Sequence, residues 1–194
     1  YSNASVQSAG AECGNPYFTQ QSFVAGLDAC SLIESIEFAG VNDFNGPCQN
    51  GDPDLGYEYY QNEIATVTRG ETSICQMYIG GTPGNHYVNA WIDYNQDFDF
   101  DDNGERVFVQ SYTISDFCES TFVQMNIDVP ATAALNETRM RIITSYEVNA
   151  WHNSGILSQG GKVEDLIVSI EDNTSVPCVA TITTVGQTTV CAGA

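Results

Sequence analysis

From about residue 32 onward the chain consists of short apolar or alternating runs, cut apart by clusters of Gly, Pro, Asn and Asp. Runs of that length bounded by turn residues read as β-strands. They fall at 33–38, 57–60, 64–68, 73–79, 87–93, 106–109, 121–129, 139–144 and 163–170. Several alternate with period two, as a strand does when one face is buried. Val88, Ala90 and Ile92 share one face, and Tyr87, Asn89, Trp91 and Asp93 the other. Val123, Met125, Ile127 and Val129 fall together, while Met140 and Ile142 face in and Arg139 and Arg141 face out. Residues 80–85 form a Gly-rich turn cluster, and only 131–135 has a short helical flavour. The pattern predicts an all-β fold, an antiparallel β-sandwich of the jelly-roll kind.

The 194 residues suffice for one substantial core, with ~70% of the unfolded chain's surface buried on folding. Three parts are expected: a polar, loop-rich N-terminal arm at 1–27, the sandwich at 28–171, and a linker with an extra C-terminal strand at 172–194. That last strand is rich in Thr and Val and carries no charge. Its backbone donors and acceptors need a partner, which strand addition to a neighbouring sheet would supply. Head-to-tail contact of that type builds open fibres. The chain starts at Tyr1 without a Met, which reads as a mature product or an excised fragment.

Charge narrows the partners. The net charge is −20, with only Arg69, Arg106, Arg139, Arg141 and Lys162 on the basic side. Nucleic acid and anionic membrane surfaces both call for clustered Lys and Arg, so neither is expected. No apolar run approaches the ~18 residues of a membrane-spanning helix. Seven widely spaced cysteines point to an oxidising, extracellular or cell-surface setting and away from zinc. The expected bridges are Cys75–Cys118 and Cys178–Cys191, with a third drawn from Cys13, Cys30 and Cys48 (Cys30 with Cys48 preferred). Asn3, Asn136 and Asn173 head N-x-[ST] sequons and are candidate glycan sites.

The segment Trp91-Ile-Asp-Tyr-Asn-Gln-Asp-Phe-Asp-Phe-Asp-Asp-Asn-Gly-Glu105 carries the most distinctive chemistry. Six carboxylates occur within the thirteen residues 93–105, with no Lys or Arg among them. A hard cation with six to eight oxygen ligands, Ca²⁺ above all, is their natural partner. The expected ligands are Asp93, Asn95, Asp97, Asp99, Asp101 and Glu105. The spacing resembles the start of an EF-hand loop, but Phe98 stands where that loop has its turn glycine, and Glu105 comes one residue late. A second expectation concerns the scarce arginines. Arg139 and Arg141 are expected to meet Glu164 and Asp165 in an inter-strand ion pair, which guanidinium geometry favours.

Catalytic signatures are missing. There is no G-x-S-x-G, H-E-x-x-H, P-loop or G-x-G-x-x-G pattern, and the two histidines, His86 and His152, read as loop or surface residues. The chain is therefore not expected to be an enzyme. Tyr57, Tyr59, Tyr60, Trp91, Tyr94 and Trp151 offer flat rings that would suit a sugar.

Three segments together resemble the GEVED domain family. They are the acidic run from Trp91 to Glu105, the stretch from Pro130 to Arg141 ending in Thr-Arg-Met-Arg, and Gly161-Lys-Val-Glu-Asp-Leu166 in the place of the naming motif. The resemblance covers about residues 28–171, with Lys162 replacing a Glu and Leu166 a Tyr. It implies a secreted or surface-attached bacterial β-sandwich without catalytic function, and residues 177–194 resemble the opening of an Ig-like module. The expectation is a non-catalytic structural or adhesive module, a cell-surface or filament subunit held by disulfides and Ca²⁺, whose partners are copies of itself or neighbouring domains. A carbohydrate-binding module of a larger secreted protein is the alternative.

Overall fold

The alternating runs become nine strands in the computed structural model, which describes residues 31–45, 56–117, 119–145 and 161–173. In chain order they are β1 (Ser31–Phe38), β2 (Val41–Phe44), β3 (Gly56–Thr68), β4 (Thr72–Gly81), β5 (Gly84–Ile92), β6 (Arg106–Ile114), β7 (Thr121–Asp128), β8 (Asn136–Ser145) and β9 (Gly161–Glu171). No helix occurs among the described residues. A four-stranded sheet, β2-β1-β4-β7, lies against a five-stranded sheet, β3-β9-β8-β5-β6.

The period-two residues meet between the two sheets. Ile36, Phe38, Met77, Ile79, Val123, Met125 and Ile127 come from one side. Val67, Val88, Ala90, Ile92, Met140, Ile142, Leu166 and Val168 come from the other, all nearly inaccessible to solvent. β7 shows the rule most plainly, with buried and accessible residues alternating along its length. The fold class is thus all-β and sandwich-like.

Four details depart from the sequence reading. The runs at 57–60 and 64–68 are one strand, β3, with a register break between Tyr60 and Ile64. β3 also pairs with β9 in parallel, so the larger sheet is mixed and not purely antiparallel. Residues 131–135 form a turn and irregular chain in place of a helix. β2 arises from a two-residue hairpin in which Ala39 (φ 47°) and Gly40 (φ 102°) both take positive φ. That conformation matches the twist of the flanking strands.

Cys75 is corrected outright. It is a free thiol, fully buried in the core, not half of a bridge to Cys118. Burial first, and the Glu164 carboxylate second, push this thiol up to about 12, which keeps it protonated and inert. Cys13, Cys30, Cys48, Cys118, Cys178 and Cys191 lie outside the described residues, as do the N-terminal arm, the C-terminal strand, the sequon at Asn3 and His152. Asn136 is accessible at the start of β8, and Asn173 is accessible with its amide donating to Glu71 Oε1 at 3.0 Å.

Candidate functional site

The acidic run links β5 to β6, and its two ends do different work from its middle. Ile92 N–H donates to the Glu105 carbonyl at 2.9 Å, closing the neck of the loop. Asp93 N–H donates to the Arg139 carbonyl at 3.1 Å, and Thr138 Oγ1 donates to the Asp93 carbonyl at 2.6 Å. The loop is thereby tied to the first residues of β8. The Asp93 carboxylate is fully buried and turned into the loop, where it accepts the Gln96 amide at 2.6 Å and the Phe98 amide at 3.1 Å. It acts as a cap, as a short acidic side chain does when it offers the backbone a local acceptor.

Every second residue after it repeats that device. Asn95 Oδ1 accepts the Asp97 amide at 3.1 Å, Asp97 Oδ1 the Asp99 amide at 3.3 Å, and Asp99 Oδ1 the Asp101 amide at 2.9 Å. The alternation that stood out in the sequence is, physically, a ladder of Asx turns. Each carboxylate keeps its second oxygen. One oxygen each from Asp97, Asp99 and Asp102, all solvent-accessible, lie within 4.8 Å of one another. The Asn95 amide sits between two of these groups, donating to Asp97 Oδ2 at 2.9 Å and Asp102 Oδ2 at 2.5 Å. A dipolar N–H₂ thus occupies the place that a cation would take among like charges. Asp102 was absent from the expected ligand set, whereas Asp93 is committed to amides and Asp101 stays outside the convergent group.

Phe98 occupies the turn position and adopts the conformation a glycine would have there, φ 76°, with Gln96 at φ 63°. The chain makes the EF-hand-like bend without the residue that makes it easily.

Glu105 is only 3% accessible. Its Oε1 accepts the Tyr94 amide at 3.0 Å, and its Oε2 is buried with no hydrogen-bond partner. Burial, and then the neighbouring Asp93 charge, push its carboxyl up to about 7 despite the amides that favour the anion. A buried carboxylate with an unsatisfied oxygen, beside a fan of aspartates, is a chemical demand for a positive partner.

The GEVED-like segment in β9 divides by strand parity. Adjacent residues of a strand point to opposite faces. Asp165 faces away from the core, where its Oδ1 accepts Arg141 Nε at 2.7 Å and its Oδ2 accepts Arg141 Nη2 at 2.8 Å and Arg139 Nη1 at 3.3 Å. The Arg139 guanidinium also lies 3.7 Å above the Tyr59 ring, and Arg141 lies 5.3 Å from the Phe100 ring. Both arginines are buried on the outer side of the five-stranded sheet.

Glu164 faces the other way, between the sheets, and meets neither arginine. Its Oε1 accepts Lys162 Nζ at 3.1 Å and Asn45 Nδ2 at 2.9 Å. Lys162 Nζ is also 3.0 Å from Glu58 Oε2. Burial raises the Glu164 carboxyl to about 8, with Lys162 opposing. Burial works against the charge on Lys162, yet Glu164 and Glu58 together hold its pKa above the usual lysine value. His86, expected at the surface, is buried in β5 with Nε2 2.7 Å from the Thr82 carbonyl.

Comparison with known proteins agrees with the family read from these residues: the GEVED domain model matches residues 87–169, the span from β5 to β9. No curated protein matches the chain. Among solved structures, it is similar to the CARDB domain of a Pyrococcus furiosus protein in complex with di-metal ions, at 13% identity over 55% of this chain and 79% of that one, with a TM-score of 0.35. It is also similar to a family 123 glycoside hydrolase from Clostridium perfringens, at 10% identity over 75% of this chain and 28% of that one (TM-score 0.36). A third likeness is to the sporulation control protein Spo0M of Bacillus subtilis, at 11% identity over 55% of this chain and 45% of that one (TM-score 0.29). Likenesses of this order say nothing about ligand or reaction.

Proposed function

We propose that this chain, whose residues 87–169 form a GEVED domain, is a non-catalytic scaffold module of an extracellular or cell-surface assembly, its β5–β6 loop fastened by Ca²⁺. One observation carries the reading. The polar residues of the family segments bond to one another or to backbone ends, as Asp93 does to the loop amides and Asp165 to both arginines. Groups placed in that way hold strands in register. Assembly with copies of itself or with neighbouring domains, by addition of a terminal strand to an open sheet edge, fits such a module. β2, β7, β3 and β6 are the edge strands of the described sheets.

In this reading Ca²⁺ displaces the Asn95 amide from the converging carboxylates of Asp97, Asp99 and Asp102 and draws on the Asn95 oxygen and Glu105. The test is thermal unfolding with and without chelator. An ion at 100 times its Kd stabilises by about 2.7 kcal/mol, so EDTA is expected to lower Tm by roughly 5–10 °C, and added Ca²⁺ to restore it. The pH dependence has a definite sign. Without the ion, Glu105 is a carboxyl whose folded-state pKa (about 7) exceeds its ordinary 4.5, so the folded chain binds the extra proton. Stability of the chelated protein is then expected to fall as pH rises from 5 through 7. Bound Ca²⁺ favours the anion, so the gap between loaded and chelated Tm should widen over the same interval. A Tm indifferent to EDTA at pH 8 removes the ion from this account.

Sugar recognition is a second reading, and one surface favours it. The rings expected to serve are engaged elsewhere: Trp91 and Tyr94 are buried, Tyr59 lies under Arg139, and Tyr60 donates to Asp43. The side chains of Tyr57 and Trp151 lie outside the described set. Instead Phe44, Tyr78 and Phe122 stand exposed on the outer face of the four-stranded sheet, with Tyr78 and Phe122 centroids 5.4 Å apart. Glu37, Asn42 and Gln76 line a hollow of about 410 Å³ beside them. Native affinity gels containing neutral polysaccharides should retard the protein and not its Tyr78→Ala variant; equal mobility of both on every polysaccharide would dismiss this reading.

A further inference from the structure

The chain contains a single lysine, Lys162, and it is 3% accessible in a protein of net charge −20. Exposed lysine is the commonest state of that side chain, and a fully buried one is rare without a specific task or partner. Here it stands where the family's naming motif has an acid, flanked by Glu58 and Glu164. Both its ammonium and the Asn45 carboxamide rest on one oxygen, Glu164 Oε1, at 3.1 and 2.9 Å. Laid end to end, those distances put the lysine and carboxamide nitrogens at most about 6 Å apart. We infer that Lys162 and Asn45 are placed to form an intramolecular amide bond that ties the end of β2 to β9 across the two sheets.

The chemistry needs a neutral amine, a polarised carboxamide and a proton carrier between them, and each has a candidate. Lys162 Nζ attacks Asn45 Cγ with its lone pair, forming the Nζ–Cγ bond. Glu164 delivers its proton to Nδ2, the Cγ–Nδ2 bond breaks, and ammonia leaves. The same carboxylate recovers a proton from Nζ. An amine and a primary amide become a secondary amide and ammonia, with no oxidant or reductant. The Tyr60 hydroxyl lies 3.4 Å from Asn45 Oδ1 and would donate to that carbonyl by turning its proton from Asp43 Oδ2, 3.0 Å away.

The environment suits such a step. Glu164 is fully buried and its Oε2 has no partner, so a proton there removes a charge that burial penalises. The charged groups facing the site are Asp43 from β2, Glu58 from β3, and Lys162 and Glu164 from β9. Their balance keeps Lys162 mostly protonated, so the reactive neutral form is a minor one. A bond made once per molecule tolerates a small reactive fraction, because proximity holds the partners together for the lifetime of the fold. The cross-link does not depend on the scaffold reading above; it would form in a module of any function.

Intact-mass spectrometry of the folded, then reduced and denatured, full chain tests this. The expected mass falls short of the sequence by one ammonia, and fragment spectra join the peptides carrying Asn45 and Lys162. An amine-reactive reagent applied to the unfolded chain is expected to label the N-terminus and leave Lys162 untouched. Glu164→Gln and Lys162→Met, checked for retained β circular dichroism, should both recover the unreacted mass. A wild-type chain of full mass with a labelled Lys162 overturns the proposal. So does a deficit of one water in place of one ammonia, which would mean that an acid such as Asp43 or Glu58 is the partner.

Discussion

Replacing Asp165 by alanine is expected to destabilise the fold by about 3–5 kcal/mol, the cost of removing one member of a buried ion pair. The reason lies in what remains. Asp165 is completely inaccessible and accepts from Arg141 through two nitrogens and from Arg139 through one. Without it, two buried guanidiniums of like charge lose the acceptor they share on the covered side of the five-stranded sheet. The Tyr59 and Phe100 rings offer some compensation, but a cation over an aromatic face is worth only ~0.5–2 kcal/mol. Since domains of this size are stable by about 5–15 kcal/mol, Asp165→Ala should leave a marginal fold, with a sharply reduced denaturation midpoint in urea. Asp165→Asn keeps the volume and one acceptor and should fall between. Removing the charges together, as Arg139→Met, Arg141→Met and Asp165→Leu, should recover most of the loss, because a well-packed apolar replacement of a buried ionic group is often neutral. If Asp165→Ala unfolds within ~0.5 kcal/mol of the parent, the network is not holding β8 to β9.

The sandwich was legible because burial on one face writes alternation into a strand. β7 carries that signature, and its core residues are the ones the pattern picks out. It fades where both faces are covered. From Gly161 to Leu166 every residue of β9 is buried, so no alternation marks its two faces and nothing local reveals its parallel partner β3. β2 was unreadable for another reason. Four residues behind an Ala-Gly turn carry too little pattern, and Ala39 is not a residue whose presence announces a positive φ.

The candidate site divides in the same way. The acidic run is visible in any reading of the chain, but its every-second spacing first serves the backbone, as Asx turns, and only its leftover oxygens converge. The ion pair held a stricter clue. Arg139 and Arg141 share a face, whereas Glu164 and Asp165, being adjacent, cannot both meet them. Strand parity alone leaves one carboxylate for the arginines and sends the other into the core. The grouping of Asn45, Glu58, Tyr60, Lys162 and Glu164 depends on β2, β3 and β9 coming together, and separations of about a hundred residues leave no local trace. Its one hint was a solitary lysine where the motif calls for an acid.

Gly161→Ala should have the second-largest effect among single substitutions, on the order of 1–3 kcal/mol, as expected when atoms are forced into a packed site. Gly161 begins β9 opposite Ser145. A Cβ there would run into the Thr144 carbonyl oxygen and would lie 3.2 Å from Ser145 Cα. These are backbone atoms of the neighbouring strand, so no side-chain rotation relieves the clash; the strands must move apart. Its φ is not among the positive values, so the penalty is one of contact and not of torsion. The displacement would fall at the head of the register that aligns Thr144 with Lys162, Ile142 with Glu164 and Arg141 with Asp165. Both polar clusters should feel it. The expected readout is a lower urea midpoint with an unchanged m-value, together with slower appearance of the ammonia-deficient species. Gly70→Ala supplies the contrast. Gly70 has φ 74° and only an ordinary 3.7 Å contact to Ala131 Cβ, so its cost of about 1 kcal/mol is torsional and should leave that reaction untouched. If the two variants behave alike, the tight approach of β8 to β9 at Gly161 is not what sets the geometry of the segment.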